Sequence, residues 1–143
     1  NMDLSENEID ESIYDAMLLS VDVAHALHPN KKEKMDITNM PVMGKGFCIK
    51  QACSQSYATD AQAIAILCQL CDEKGIPYQR FVNRSDSRGG STLGSIAGTL
   101  LPVKTVDIGI PILAMHSACE LMGVRDMKAL SDCVTAFFGY LGK

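Results

Sequence analysis

No stretch of this 143-residue chain stays apolar for the roughly 18 residues that a membrane-spanning helix requires. Nor is there a surplus of positive charge. Lys and Arg number 13 against 17 Asp and Glu, the net charge is −4 and the two signs are interspersed, so no broad basic surface points to nucleic acid. The opening run NMDLSENEIDES is acidic and polar, with neither the basic end nor the apolar core of a signal peptide. Internal repeats and low-complexity segments are missing. So are a GxSxG elbow, which makes a serine nucleophile at Ser117 a poor reading, and a GxGxxG or GKS/GKT loop for phosphate. Histidine is scarce: His25, His28 and His116 are the only three.

What is present is a chain 47% hydrophobic, enough to bury one substantial core, at a length that suits one domain or part of a larger one. Cys48, Cys53, Cys68, Cys71, Cys119 and Cys133 do not form a zinc framework. Cys68 and Cys71 make a CQLC run inside a helical segment, with no second CxxC or histidine pair nearby. They read as reduced thiols acting as small buried side chains, which suits a reducing, cytoplasmic setting.

The segments alternate between the two periodicities. IDESIYDAML reads as the end of a helix and LLSVDVAHA as a strand emptying into the long surface loop HPNKKEKMDITNMPVMGKG. GFCIKQA is a strand. An amphipathic helix runs from Thr59 to Lys74, capped at Thr59 or Asp60 and closed by Gly75. PYQRFVNRS is another strand, RGGSTLGSIAGTLLP a glycine turn leading into a short helix ended by Pro102, and VKTVDIGIP a further strand. A helix is expected to start soon after His116. The tail from about Asp126 to Leu141 is an amphipathic helix with Leu130, Cys133, Val134, Phe137 and Phe138 on its apolar side. Strands alternating with helices point to a layered α/β fold. Such a domain rarely opens in the middle of a polar helix, so an upstream part is expected.

The chemistry gathers at a few places. In SVDVAHALHPN, Asp22, His25 and His28 stand three apart at the end of a strand, where ligands collect in open α/β sheets. A carboxylate with neutral imidazoles suits zinc, yet this spacing around a Pro-terminated strand end need not aim all three at one point. Asp22 alone could equally cap a turn. His116, in IPILAMHSACE, reads either as a half-buried histidine bonded to backbone or as a functional one. NRSDSRGGSTLG is a weak phosphate motif and a reasonable backbone surface for a carbonyl or carboxylate.

Taken in order, SVDVAHALHPN, GKGFCIKQACSQSYATDA, NRSDSRGGSTLG and TVDIGIPILAMHSACE resemble the aspartyl-aminopeptidase family of zinc metallo-aminopeptidases, from about Leu19 to near Phe138. The resemblance implies a three-layer αβα catalytic domain with a mixed β-sheet, an inserted dimerisation domain and a co-catalytic pair of zinc ions. It also implies a dodecameric homo-oligomer that clips N-terminal residues, often acidic, from peptides. Position by position, Asp22 matches a ligand of one metal and His116 a ligand of the other. His25 matches a catalytic position beside the substrate or behind the ligands, and His28 one that holds the loop or the assembly. Lys50 matches the ammonium that pairs with an acidic N-terminal side chain. Met115 and the backbone at Gly90, Ser91 and Thr92 match the lining of the same pocket. The mechanism implied is hydrolysis by a metal-activated water whose proton a glutamate takes.

The chain departs from the family pattern in one large respect. The bridging aspartate, the second metal-binding histidine and the paired glutamates belong to earlier segments that match nothing here, and Glu6, Glu8 and Glu11 are not assigned those roles. Residues 1–143 therefore read as the C-terminal portion of the catalytic domain, without the dimerisation domain and the N-terminal part. With one ligand per metal, the chain alone is expected neither to hold two zinc ions tightly nor to catalyse. Phe47, Ser56 and Met35 are smaller departures that bear on substrate preference. The alternatives are a non-catalytic assembly module that kept the fold and a di-zinc deacylase of N-acyl amino acids. No nucleic-acid or membrane partner is expected. A sheet edge left open would favour self-association.

Overall fold

The computed structural model describes residues 3–87 and 89–140. Helix α1 (Glu6–Asp15) starts at Ser5, whose hydroxyl accepts the Glu8 N–H while the Glu8 carboxylate takes the Ser5 N–H, a reciprocal capping box. It buries no residue of its own. Strand β1 (Met17–His25) follows, and then the long loop, in which only a short 3₁₀ turn forms at Lys32–Lys34. Strand β2 (Phe47–Gln51) leads through a second loop to helix α2 (Ala61–Lys74). The Asp60 carboxylate caps α2 by accepting the Ala63 N–H, and Gly75 closes it at φ 65, where a side chain would strain the backbone. Strand β3 (Tyr78–Val82), helix α3 (Leu93–Leu100), strand β4 (Lys104–Leu113), the two-residue strand β5 (Leu121–Met122) and helix α4 (Val124–Phe138) complete the chain.

The sheet runs β1-β4-β2-β3, with β5 added to β4. β4 pairs parallel with β1 and antiparallel with β2, while β2 and β3 run parallel, so the sheet is mixed. Alternation along the strands separates two faces. One presents Phe47, Ile49, Val106, Ile108, Ile110 and Ile112 to α2 and α4, and Ala63, Leu67, Cys71, Ala129, Leu130 and Cys133 close that core. The opposite face carries Ser20, Asp22, Lys50 and Asp107, with α3 and the loop between β2 and α2 lying over it. This is the expected three-layer αβα arrangement.

Several expectations are corrected. Among the described residues, no helix starts directly after His116: a tight turn and β5 occupy that stretch, because Leu121 and Met122 pair with Leu113 and Ile112. α4 begins at Val124, and Asp126, expected near its start, is fully buried in its first turn. Its Oδ2 and Oδ1 accept the N–H groups of Gly44 and Gly46 at 2.6 and 2.7 Å, tying α4 to the approach to β2. Phe138, expected on the apolar side, is 80% exposed, since it falls one position past the buried stripe of Ala129, Leu130 and Cys133. Residue 141, the expected end of that helix, lies outside the described residues. The strand expected over PYQRFVNRS stops at Val82. All six thiols are free, but only Cys48, Cys71 and Cys133 are buried, while Cys53 and Cys119 stand exposed on loops. Burial pushes the Cys48 thiol up to about 12, with Asp126 adding to the effect.

Candidate active site

The parallel pair β1 and β4 sets the site. Their C-terminal ends lie side by side, with His25 opposite Ile112 in register. Asp22 is three residues back, on the polar face of the sheet. Its carboxylate is half exposed, and Oδ2 accepts from Lys50 Nζ at 3.3 Å. Lys50 reaches up from β2 with its side chain only 3% exposed and also donates to the Val23 carbonyl at 3.0 Å. The Tyr57 ring covers the ammonium at 4.9 Å. A buried cation needs such company, because leaving water without a compensating partner costs several kcal/mol, of order. Here one carboxylate, one carbonyl and one aromatic face share the task.

His25 points into the same region, with its ring 6.4 Å from that of Phe81. Partial burial pushes its imidazole below the usual histidine range, and the nearby His116 and Lys50 push it further the same way. Each of these causes favours the neutral imidazole, which can accept a hydrogen bond.

β4 ends in a turn that places His116. Ala114 and His116 both adopt left-handed backbone, φ 57 and φ 67, and the Ser117 N–H closes the turn on the Ala114 carbonyl at 3.0 Å. Left-handed geometry in residues with a Cβ costs about 1–2 kcal/mol each, and such strain gathers at functional turns. The compensation comes from Glu120, whose Oε1 accepts the His116 N–H at 2.6 Å. The sequence reading missed Glu120. Its one signal is a carboxylate four residues beyond a histidine, and only the turn gives that spacing meaning.

A cavity of about 490 Å³ opens beside these groups, lined by His25, His28, Met115, Tyr57, Phe81 and Gly90 among others. His28 is exposed, and its Nδ1 accepts the Asn30 N–H at 3.2 Å, bracing the turn that starts the long loop. Arg84 pairs with Asp86 and donates to the Glu33 carbonyl, so the long loop is also tied to the segment after β3. Ser91 lines an adjoining cavity of about 670 Å³ instead. Thr92 is buried, with its N–H on the Ser56 carbonyl at 3.3 Å, and Lys50 lies behind Tyr57 rather than on the cavity wall. The structure thus brings Asp22, Lys50, His25 and His116 to one end of the sheet, with Met115 and Gly90 on the cavity beside them.

Among the described residues, no group of three or more His, Cys, Asp or Glu side chains is placed to hold one metal ion. A catalytic zinc takes three protein ligands. Asp22 and His116 can each offer one donor, so these residues do not by themselves make a zinc site.

The profile of the aminopeptidase I zinc metalloproteases (M18) matches residues 2–138. A probable M18 family aminopeptidase 2 of Clostridium novyi (strain NT) is 53% identical over 111 residues, which are 78% of this chain and 26% of that protein. Among solved structures, the cryo-EM structure of the Ape4 and Nbr1 complex superposes with a TM-score of 0.91 at 34% identity, covering 94% of this chain and 26% of that one. The mApe1 dodecamer of S. cerevisiae gives 0.78 at 26% identity, over 89% of this chain and 27% of that one. The chain spans about a quarter of the length of the curated relative it matches. It belongs to the M18 family of aminopeptidase I zinc metalloproteases.

Proposed function

We propose that this chain is the C-terminal portion of the catalytic domain of a zinc-dependent aminopeptidase that removes N-terminal residues, Asp or Glu, from peptides. The dimerisation domain and the rest of the catalytic domain belong to the full-length protein. The observation that carries the reading is the Asp22–Lys50 pair on the polar face, with His25 at the end of β1 and His116 in the turn that follows β4. Asp22 and His116 each contribute one metal ligand. Zinc, if held by these two side chains together with donors from the full-length protein, would supply Lewis-acid chemistry beside them.

The remaining work falls to this chain's own side chains. His25, whose surroundings favour its neutral form, accepts a hydrogen bond from the substrate or from a ligand, while His28 holds the loop that borders the cavity. An ammonium has three N–H donors. Lys50 engages Asp22 and Val23 with two of them and lies under Tyr57 just behind the cavity wall, from where its charge favours the carboxylate of an acidic substrate. Met115 and the backbone of Gly90 shape the space beside it, and Thr92 stands behind that wall with its N–H on the Ser56 carbonyl. The isolated 143 residues are inactive, because they offer one donor per metal. A cytoplasmic homo-oligomer is proposed for the full-length protein, a dodecamer by analogy with the S. cerevisiae mApe1 structure.

The test is turnover of Asp-, Glu- and Leu-anilides by the full-length protein, alongside the isolated chain. Acidic anilides should be preferred, and chelation should abolish the activity. A strong preference for Leu sinks the role given to Lys50, and turnover by the isolated chain sinks the reading of it as an incomplete site.

A further inference from the structure

Asp107 belongs to none of the roles above, yet it lies at the centre of the polar face. It stands on β4 between Ser20 of β1 and Lys50 of β2, and it is fully buried. Its Oδ2 accepts the Ala58 N–H at 2.8 Å, while Oδ1 has no hydrogen-bond partner among the described residues. Its own N–H donates to Thr59 Oγ1 at 3.1 Å, and that hydroxyl donates to the Lys50 carbonyl at 2.6 Å. Two consecutive loop residues, Ala58 and Thr59, are therefore pinned to one strand position.

The same carboxylate meets the next element. Gly94, in the first turn of α3, lies so close that a methyl there would be 2.9 Å from Asp107 Oδ1 and 2.8 Å from Ser20 Cβ. Thr92 caps α3 without using its side chain, so the first turn offers the uncapped, positive end of the helix to a carboxylate. The two segments are also joined directly, since the Thr92 N–H donates to the Ser56 carbonyl. One of them carries Tyr57, which covers the Lys50 ammonium and lines the cavity, and the other carries Gly90 on the cavity wall.

We infer that Asp107 is a positioning residue: its buried carboxylate joins the loop around Ala58 to the start of α3 as one wall, and so holds Tyr57 over Lys50. A buried carboxylate that leaves half its acceptor capacity idle is a poor space-filler. It is placed as a pin, because Oδ2 is bonded to one segment while Oδ1 lies close against the first turn of the other. The consequence for substrate rests on the aminopeptidase reading, whereas the coupling of the two segments does not.

The experiment uses the full-length protein with Asp107→Ala, Asp107→Asn and Gly94→Ala, measuring hydrogen exchange over residues 52–60 and 89–95 together with kcat and KM for an Asp-anilide. Asp107→Ala should raise exchange in both segments at once and raise KM about tenfold, with kcat within about threefold of the parent. Asp107→Asn keeps an acceptor for the Ala58 N–H and should return KM to within about threefold. Exchange that rises in one segment only, or in neither, overturns the inference, as does an unchanged KM when both segments loosen. If Asp107→Ala does not accumulate as folded protein, Gly94→Ala applies the same test from the helix side. Its methyl should displace the carboxylate and loosen residues 52–60, and loosening confined to α3 counts against the tie. If the parent protein turns over no aminoacyl anilide, the aminopeptidase reading fails by itself, and the exchange data still decide whether Asp107 couples the two segments.

Discussion

The two faces of the sheet are built from the same strands and obey different rules. On one, Phe47, Ile49, Val106 and Ile108 are fully buried against α2 and α4, and apolar contact is all they require. On the other, a shift of one residue along the same strands gives Lys50 and Asp107, equally buried and charged. Polar atoms there need partners, and these come from loops and from the sheet edge: Tyr57 over Lys50, Ala58 on Asp107 Oδ2, Asp22 of β1 on Lys50. The apolar face contributes stability through area removed from water, which tolerates exchange of one hydrophobic side chain for another. The polar face contributes geometry, which does not. A fold that carries chemistry can therefore assign the two tasks to opposite sides of a single layer.

The comparison is broken most forcefully by truncating the apolar side. Phe47→Ala should lower the stability of the full-length protein by about 3–5 kcal/mol, read from its urea midpoint, while activity per folded molecule stays near the parent value. Loss of specific activity without loss of stability would place Phe47 in the wrong class.

Lys50→Met is the converse. The Asp22 carboxylate it abandons is half exposed and can rehydrate, so stability should change by no more than about 1 kcal/mol. Preference for Asp- over Leu-anilide should fall by about 10–100-fold, the worth of one hydrogen bond to a charged group. A stability loss well beyond that limit, with selectivity intact, would make Lys50 a structural counter-ion only.

The smallest effect concerns the long loop. The partly exposed Asp36 carboxylate accepts from the Thr38 hydroxyl and from Asn39, and these bonds hold it well below its ordinary 3.8, at about 2. Because the folded value is depressed, the contribution is fully present above pH ~3.8 and is lost as pH falls through about 2. Carboxyl NMR should give Asp36 a midpoint near that lower value, and Thr38→Val should raise it. An unshifted midpoint in the parent would mean that the loop is not held in this way.

The layered fold was legible because periodicity carries it. The strand over VKTVDIGIP and the amphipathic helix from Thr59 to Lys74 rest on local patterns, and both form, as Lys104–Leu113 and Ala61–Lys74. Asp22 at a strand end and His116 in a non-repeating turn were legible as candidates. What stayed hidden depends on separation along the chain. Asp126 looks like an ordinary first-turn carboxylate until Gly44 and Gly46, some 80 residues earlier, bring their N–H groups to it. Asp107 looks like a misplaced charge in a buried strand until Ala58 meets it. Glu120 and the two residues of β5 have too little pattern to announce themselves. Phe138 shows the opposite failure, where a hydrophobic side chain at nearly the right spacing implied burial that the helix does not provide.

The strand order also fixes a timetable. β4 lies between β1 and β2 in the sheet, yet its register with β1 joins Met17 to Lys104 and its register with β2 joins Lys50 to Asp107. A chain emerging from the ribosome therefore displays β1 and β2 for many seconds before the strand that separates them exists, at about 5–20 residues per second. Closing such long loops must precede any reward from pairing, so this sheet assembles late and slowly. Until then the apolar faces of β1 and β2 are open to wrong partners. The nascent chain keeps that apolar surface uncovered for as long as β4 remains unmade.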